Sequence, residues 1–213
     1  MTTAPAYDLL LTGGNILDPA QGIDGRRDIA FKDGLVAEVS ERIDAAKAAN
    51  SVDVTGKLIT PGLIDLHTHV YEGVFQVGVN PDLVGVRAGV TTVVDAGSAG
   101  CDTFGGFPEH IVPNNDTEII CFLHICRTGL ATSPDIFSPS SIDLDRTIQV
   151  ASEHPNLIAG IKARMVSPAL EIMGMEMAGK VVSTMHPSKG LATTVQREME
   201  TVISSQKPRS TSS

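Results

Sequence analysis

The hydrophobic pattern of the first 60 residues predicts short β-strands separated by tight turns. Residues 7–18 are predicted to form a strand, a Gly-Gly turn and a second strand, and a further extended segment covers residues 51–60. Between them, residues 28–32 are followed by Asp33-Gly34, a pair favoured in two-residue hairpin turns, and then by residues 35–39. Residues 1–60 are therefore predicted to form a small antiparallel β domain.

After Pro61 the pattern changes to near-continuous apolar runs, at residues 91–95, 118–124 and 157–162. Runs of this kind are typical of parallel strands that are covered on both faces. Residues 142–154, with Ser141 as the N-cap, are predicted to form a covering helix. The alternation of strands and helices indicates an α/β fold.

The C-terminal part of the chain lacks this alternation. Beyond Met177 there is no clear strand–helix repeat, and the end is rich in Ser and Thr. Apolar residues at helical spacing predict one amphipathic helix at residues 191–202. The chain is thus divided into a β domain at 1–60, an α/β region at 61–177 and a divergent, partly disordered tail at 178–213.

Composition and charge exclude several classes of partner. A hydrophobic content of 42% and a charged content of 19% are ordinary for a globular protein, and the net charge of −9 repels nucleic acids and anionic membranes. Residues 1–8 lack a positively charged region followed by a long apolar run, the pattern of a targeting segment, and nowhere do about 18 apolar residues run consecutively. We therefore expect a cytoplasmic protein with neither nucleic acid nor membrane as a partner. Cys101, Cys121 and Cys126 are predicted to be buried thiols.

The motif PGLIDLHTH at residues 61–69 carries the candidate chemistry. Leu63-Ile64 is predicted to begin a buried strand, in which Asp65, His67 and His69 would share one face. Two imidazoles at one strand end supply adjacent zinc ligands, and Asp65 could orient one of them. Taken alone, a His-X-His pair could also be surface decoration or a pair of core histidines. The surrounding motif favours a metal site.

The remaining histidines and Asp95 carry weaker signals. His110 and His154 fall in loop or helix-end positions, where solvated or capping roles are expected. His124 ends an apolar run and is either a satisfied core histidine or a residue that contacts substrate. Asp95 also follows an apolar run, and its role stays open, with a structural one among the alternatives.

Three motifs together resemble the amidohydrolase superfamily, and within it the dihydroorotase-like deacetylase metallohydrolases. They are YDLLLTGGNILD at residues 7–18, PGLIDLHTH at 61–69 and GVTTVVDAG at 89–97. The resemblance covers residues 7–177. It implies a (β/α)8 barrel with a small β domain, and a site for two metal ions, usually zinc, at the barrel mouth. It also implies hydrolysis of an amide or ester bond in a small molecule by a metal-activated water.

The same resemblance assigns a third metal ligand. GIKAR at residues 160–164 matches the segment whose lysine is carboxylated by carbon dioxide, and Lys162 occupies the lysine position. A lysine that loses its proton beside divalent cations can form this carbamate, which is an anionic oxygen ligand. The implied metal ligands are thus His67, His69 and Lys162. Without the resemblance, Lys162 would more often be a solvated cation at a strand end.

The chain departs from the family pattern in its second half. A complete barrel needs about 250 residues, and residues 61–213 contain only about four readable strands. We therefore predict an incomplete (β/α)8 barrel. The resemblance also implies two further metal-binding histidines on later strands and an aspartate on the last strand that serves as general base, and these have no clear match here. His186 is only a loose match to one of the later histidines. The alternative is a catalytically inactive, truncated fragment that binds metal weakly or associates with another chain. A homo-oligomer is possible because the open sheet edge is available for pairing.

Overall fold

The computed structural model describes residues 4–132 and 138–164. These fall into two compact units, and the boundary in the chain lies between Gly62 and Leu63. The predicted tail at 178–213, its helix at 191–202 and His186 lie outside the described residues. Among the described residues, no helix is long and apolar enough to cross a membrane.

The N-terminal unit is a five-stranded sheet. Its strands are β1 (Tyr7–Asp18), β2 (Ile23–Lys32), β3 (Leu35–Ser40), β4 (Ala48–Asp53) and β5 (Leu58–Ile59). The order is β3-β2-β1-β4, and β5 also pairs with β1. The β1–β2 and β2–β3 pairs are antiparallel, as predicted, while β4 and β5 run parallel to β1. The β domain therefore combines an antiparallel meander, β1 to β3, with two strands that run parallel to β1.

The Gly-Gly pair in β1 forms a bulge, so the prediction of a turn was wrong. β1 continues through it, and the pairing with β2 shifts register between Leu11 and Gly14. Gly13 has a φ of 75°, and a Cβ there would lie 2.5 Å from the Thr55 hydroxyl oxygen. Positive φ serves a bulge and a turn equally well, which is why the dipeptide alone does not distinguish them.

The predicted Asp33-Gly34 hairpin turn is confirmed. Both residues have positive φ, 51° and 77°, as a two-residue turn between right-twisted strands requires. Beneath the sheet, Leu10, Ala30 and Ile43 form a small buried cluster. This turn and cluster fix the register of the N-terminal unit.

The second unit contains a parallel four-stranded sheet in chain order. Its strands are β6 (Leu63–Thr68), β7 (Val90–Asp95), β8 (Glu118–His124) and β9 (Ile158–Lys162). All neighbouring pairs are parallel. Within residues 63–132 and 138–164, the predicted α/β fold with the four strands of a partial barrel is therefore confirmed.

Strand β6 departs from the prediction of a buried strand, because Leu63 and Ile64 are more than half exposed. β6 lies at one end of the sheet order and pairs only with β7 among the described strands. An apolar run alone does not reveal whether a strand will be central or at an edge.

The predicted covering helix is α2 (Leu144–Glu153), whereas the β6–β7 connection holds the short α1 (Pro81–Val84) and a 3-10 turn (Val86–Ala88). The N-cap of α2 is Asp143 and not Ser141, since the Asp143 carboxylate accepts a hydrogen bond from the Arg146 N–H at 2.9 Å. Ser141 belongs to the preceding 3-10 turn. Both residue types cap well, so only the path of the chain selects one.

The core of this unit is built from residues of the sheet, of α2 and of the connections between the strands. Its largest fully buried apolar side chains include Phe104, Phe107 and Leu123. All three cysteines are buried, as predicted, and Cys101, Cys121 and Cys126 belong to this core. They pack among the other side chains of this core.

Candidate metal site

The candidate site lies at the carboxyl ends of the parallel strands. Because the strands are parallel and adjacent, residues at these ends lie along one edge of the sheet. His67 lies near the end of β6 and His69 follows it, while Lys162 ends β9. The fold therefore brings together residues that are almost a hundred positions apart in the chain.

These three residues line one cavity, with a volume of about 590 Å³. Arg164 and Phe75 contribute to the same wall. The cavity contains two imidazoles, an amine and a guanidinium, which gives it a cationic character. An anionic ligand would complement these cationic groups. Conversion of the lysine amine to an anion would also balance their charge.

The two histidine rings lie side by side. The His67 and His69 ring centroids are 5.6 Å apart with an interplanar angle of 80°, and His69 also contacts Phe75 edge-on at 5.0 Å. His67 is exposed and His69 is partly buried. The apolar contact therefore restrains the second ring more than the first.

Asp65 acts on the main chain of the histidine motif. Its Oδ1 accepts a hydrogen bond from the His67 backbone N–H at 3.0 Å. The side chain that contacts an imidazole is instead Ser98, whose Oγ lies 2.9 Å from His69 Nδ1. Ser98 was missed in the sequence. Its only local signal is its place three residues after Asp95, a spacing typical of an Asp side chain that folds the backbone back on itself.

Asp95 organises the backbone around this pair. It is fully buried at the end of β7 and accepts hydrogen bonds from the backbone N–H groups of Val70, Gly97 and Ser98, at 2.9, 3.0 and 2.6 Å. Burial raises the pKa of the Asp95 carboxyl, and the hydrogen bonds from Ser98 and Val70 oppose this shift. Asp95 thus ties the residue after His69 to the loop that carries Ser98.

His69 is held in a setting that favours the neutral ring. Burial lowers the pKa of the His69 imidazole. The negative charge of Asp95 opposes this shift, whereas the neighbouring positive groups lower the pKa further. A neutral imidazole has a free lone pair on one ring nitrogen. That is the form a metal ion requires.

Lys162 passes directly over Gly97. Gly97 has a φ of 91°, and a Cβ there would lie 2.7 Å from both Cβ and Cγ of Lys162. The glycine therefore provides both the left-handed backbone and the space that the lysine stem occupies.

The other histidines lie away from this set. His124 is fully buried, and its Nδ1 accepts a hydrogen bond from the Cys126 N–H at 3.0 Å, which matches the core alternative. His110 is exposed beside Glu109, and His154 forms the C-cap of α2. None of the three is among the residues that line the cavity.

The donors fit a metal site only in part. Within residues 4–132 and 138–164, no three His, Cys, Asp or Glu side chains lie close enough to hold a metal ion. The candidate set is therefore two imidazoles and Lys162, whose amine becomes an oxygen donor only after carboxylation. Nitrogen and oxygen donors of this kind suit zinc.

Comparison with known proteins supports the family resemblance. No family model matches the chain. A deacetylase of Brucella anthropi is 36% identical over 166 residues, which are 75% of this chain and 41% of the deacetylase. A solved dihydroorotase has 29% identity and a TM-score of 0.75, and the match covers 86% of this chain and 49% of that chain. A solved adenine deaminase has 26% identity and a TM-score of 0.70, over 84% and 47% of the two chains.

These similarities indicate the amidohydrolase superfamily. The curated relatives that the chain matches are deacetylases and dihydroorotases, and the chain spans less than half of the length of each relative and solved structure named above. The resemblance found in the motifs is thereby confirmed, and the chain is partial relative to its homologues.

Proposed function

We propose that this chain contributes the first half of the active site of a metal-dependent hydrolase of the deacetylase type. The whole protein would cleave an amide or ester bond of a small molecule with a metal-activated water. The observation that carries the proposal is the convergence of His67, His69 and Lys162 on one cavity at the carboxyl ends of a parallel sheet. The deacetylase and dihydroorotase relatives support the same class of reaction.

In this proposal the chain supplies three metal ligands. His67 and His69 each contribute a ring nitrogen, and Lys162 contributes carbamate oxygens. The carbamate forms when the neutral lysine amine attacks carbon dioxide, so that an N–C bond forms and the amine loses one proton. Zinc ions, when bound, would polarise the carbonyl of the substrate and lower the pKa of a water molecule.

The neighbouring residues hold these ligands in place. Phe75 restrains the His69 ring, Asp65 fixes the backbone of His67, and Gly97 accommodates the Lys162 stem. The general base is unassigned, because no residue of the chain matches it. We therefore expect the chain by itself to show weak or no turnover.

The alternative is a fragment that binds metal weakly or associates with another chain. One observation favours it: among the described residues, no three standard metal ligands form a cluster. Incubation with N-acetylated amino acids and acetylated hydroxy acids separates the two cases. Turnover at enzyme-like rates would exclude the inactive fragment, whereas metal binding without turnover would support it.

Metal content tests the proposed metal site directly. The purified chain is stripped of metal, incubated with zinc and bicarbonate, desalted and analysed by mass spectrometry for zinc. We expect about two zinc ions per chain, with a clear loss in His67→Ala. His110→Ala is the matched control, because His110 is exposed and is not among the cavity residues. A wild-type chain that retains no zinc would refute the proposed metal site.

Two further expectations from the sequence stay predictions. A cytoplasmic location is testable by cell fractionation. A homo-oligomer is testable by light scattering, and the exposed apolar side chains of β6 give it a physical basis.

A further inference from the structure

The wall of the cavity contains a cationic side chain that is not one of the proposed metal ligands. Arg164 lies two residues after Lys162, and both side chains line the cavity. Ala163 between them is 5% exposed and belongs to the apolar core. The segment therefore continues the alternation of β9, with Lys162 and Arg164 on the cavity side and Ala163 on the core side.

No acidic side chain balances this charge in the cavity wall. Among the described residues that line the cavity, none is an aspartate or a glutamate. In the proposed function, Lys162 becomes an anionic carbamate and the two histidines hold metal. Arg164 is then the lining residue that keeps a positive charge, because a guanidinium stays protonated in proteins.

A guanidinium in a small cavity favours a planar anion. It presents five N–H donors in a fixed fork, so it can hold a carboxylate by two hydrogen bonds and still keep contacts within the protein. Other parts of the wall are apolar and include Phe75, Val77 and Leu130. The volume of about 590 Å³ suits a small molecule. The cavity therefore fits a small ligand that combines one carboxylate with an uncharged body.

The spacing of Lys162 and Arg164 suits an acylated amino or hydroxy acid. Two residues of extended chain advance by about 6.6 Å. In an N-acyl amino acid, the acyl carbon and the carboxylate carbon are about 3–4 Å apart. A hydrogen bond from the carboxylate to a guanidinium spans about 3 Å more. A carboxylate held by Arg164 would thus leave the acyl carbon near Lys162.

We propose that Arg164 is a specificity-determining residue that binds the carboxylate of the substrate. The substrates are then N-acyl or O-acyl derivatives of small amino or hydroxy acids with a free carboxylate. The role of this ligand as a substrate rests on the proposed function. The carboxylate site itself does not, because Arg164 carries its charge in the metal-free chain as well.

A matched pair of ligands tests the site in the metal-free wild-type chain. Racemic N-acetylalanine and racemic N-acetylalaninamide have nearly the same size and differ in a carboxylate against a neutral amide. Ligand-observed NMR at low ionic strength gives the two dissociation constants. We expect the acid to bind about tenfold more tightly. Equal affinities would overturn the proposal, and this result needs no variant to fold. The net charge of −9 disfavours anions in general, so a preference for the acid indicates a local site.

Variants separate Arg164 from Lys162, the other cation of the cavity. Arg164→Gln should abolish the preference for the acid, and Arg164→Lys should keep part of it, since an ammonium is a point charge without the fork. Lys162→Gln should keep the preference. Arg146→Gln is the matched control, because Arg146 is an exposed arginine of α2 and does not line the cavity. A preference that survives in Arg164→Gln, or is lost in Lys162→Gln or Arg146→Gln, would overturn the proposal.

Zinc loading separates this proposal from the proposed function. If the metal-free chain prefers the acid through Arg164 and the chain retains no zinc, the proposed metal site fails and the carboxylate site stands. If the chain retains zinc at the proposed ligands and the metal-free chain binds acid and amide equally, the carboxylate site fails and the proposed metal site stands.

Discussion

Replacement of Gly97 by alanine should destabilise the second unit through two effects that can be measured separately. The first is the backbone, because Gly97 has a φ of 91°. A residue with a Cβ pays about 1–2 kcal/mol in the left-handed region. The second is space, because the new Cβ would lie 2.7 Å from two carbons of the Lys162 stem, closer than non-bonded carbons approach. Insertion of a methyl group into a filled site costs about 1–3 kcal/mol.

Gly89 supplies a matched control in the same unit. It has a similar φ of 84°, but no heavy atom lies within 4 Å of where its Cβ would be. Gly89→Ala should therefore show the backbone effect alone. Urea unfolding followed by circular dichroism gives the free energy of unfolding for each variant. We expect Gly97→Ala to be less stable than Gly89→Ala by about 1–3 kcal/mol.

Zinc binding adds a functional readout to this comparison. A displaced Lys162 should weaken zinc binding in Gly97→Ala and leave it unchanged in Gly89→Ala. Equal stability and equal zinc affinity in the two variants would refute the reasoning, since they would mean that Lys162 does not pass over Gly97.

Three other predictions concern the described residues away from the cavity. The Asp82 carboxylate accepts a hydrogen bond from the Thr117 hydroxyl at 2.7 Å, and this contact lowers the pKa of Asp82. The stability that the charged Asp82 contributes is therefore complete above the pKa of the unfolded chain, and it is lost as the pH falls through the lower pKa of the folded chain. Wild type should lose more thermal stability on acidification than Asp82→Asn. Parallel curves of melting temperature against pH would contradict this. Phe107→Ala empties a fully buried site and should cost about 3–5 kcal/mol in urea unfolding, whereas a loss below about 1 kcal/mol would mean that the site is not packed as described. Asp28→Ala leaves two backbone N–H groups without their carboxylate acceptor and should cost about 1–3 kcal/mol for each, while the exposed Asp24→Ala should have little effect; equal losses would contradict the assigned role.

The fold could be predicted where local chemistry determines the structure. Asp33-Gly34 is suited to a turn with two positive φ angles, and the apolar runs that end at Asp95 and Lys162 became β7 and β9. The exposure of β6 and the parallel pairing of β4 with β1 could not be predicted, because both depend on which strands become neighbours. Tertiary contacts decide this, and the residue pattern of one strand does not contain it.

The candidate site divides in the same way. His67 and His69 were found because their spacing places two imidazoles at one strand end, and Lys162 was found through the family resemblance. Ser98 was not found, since its partner His69 lies 29 residues earlier in the chain and meets it only when β6 and β7 pair. Asp95 was visible as a polar residue after an apolar run, but its three backbone contacts depend on the folded loops around it.

The most direct test of the proposed metal site is a crystal structure of the zinc-loaded chain with anomalous scattering data collected at the zinc edge. The proposal predicts an anomalous peak in the cavity, bonded to a ring nitrogen of His67 and of His69, with a carboxylated Lys162 beside it. A fully loaded crystal whose anomalous peaks all lie outside this cavity would contradict the proposal.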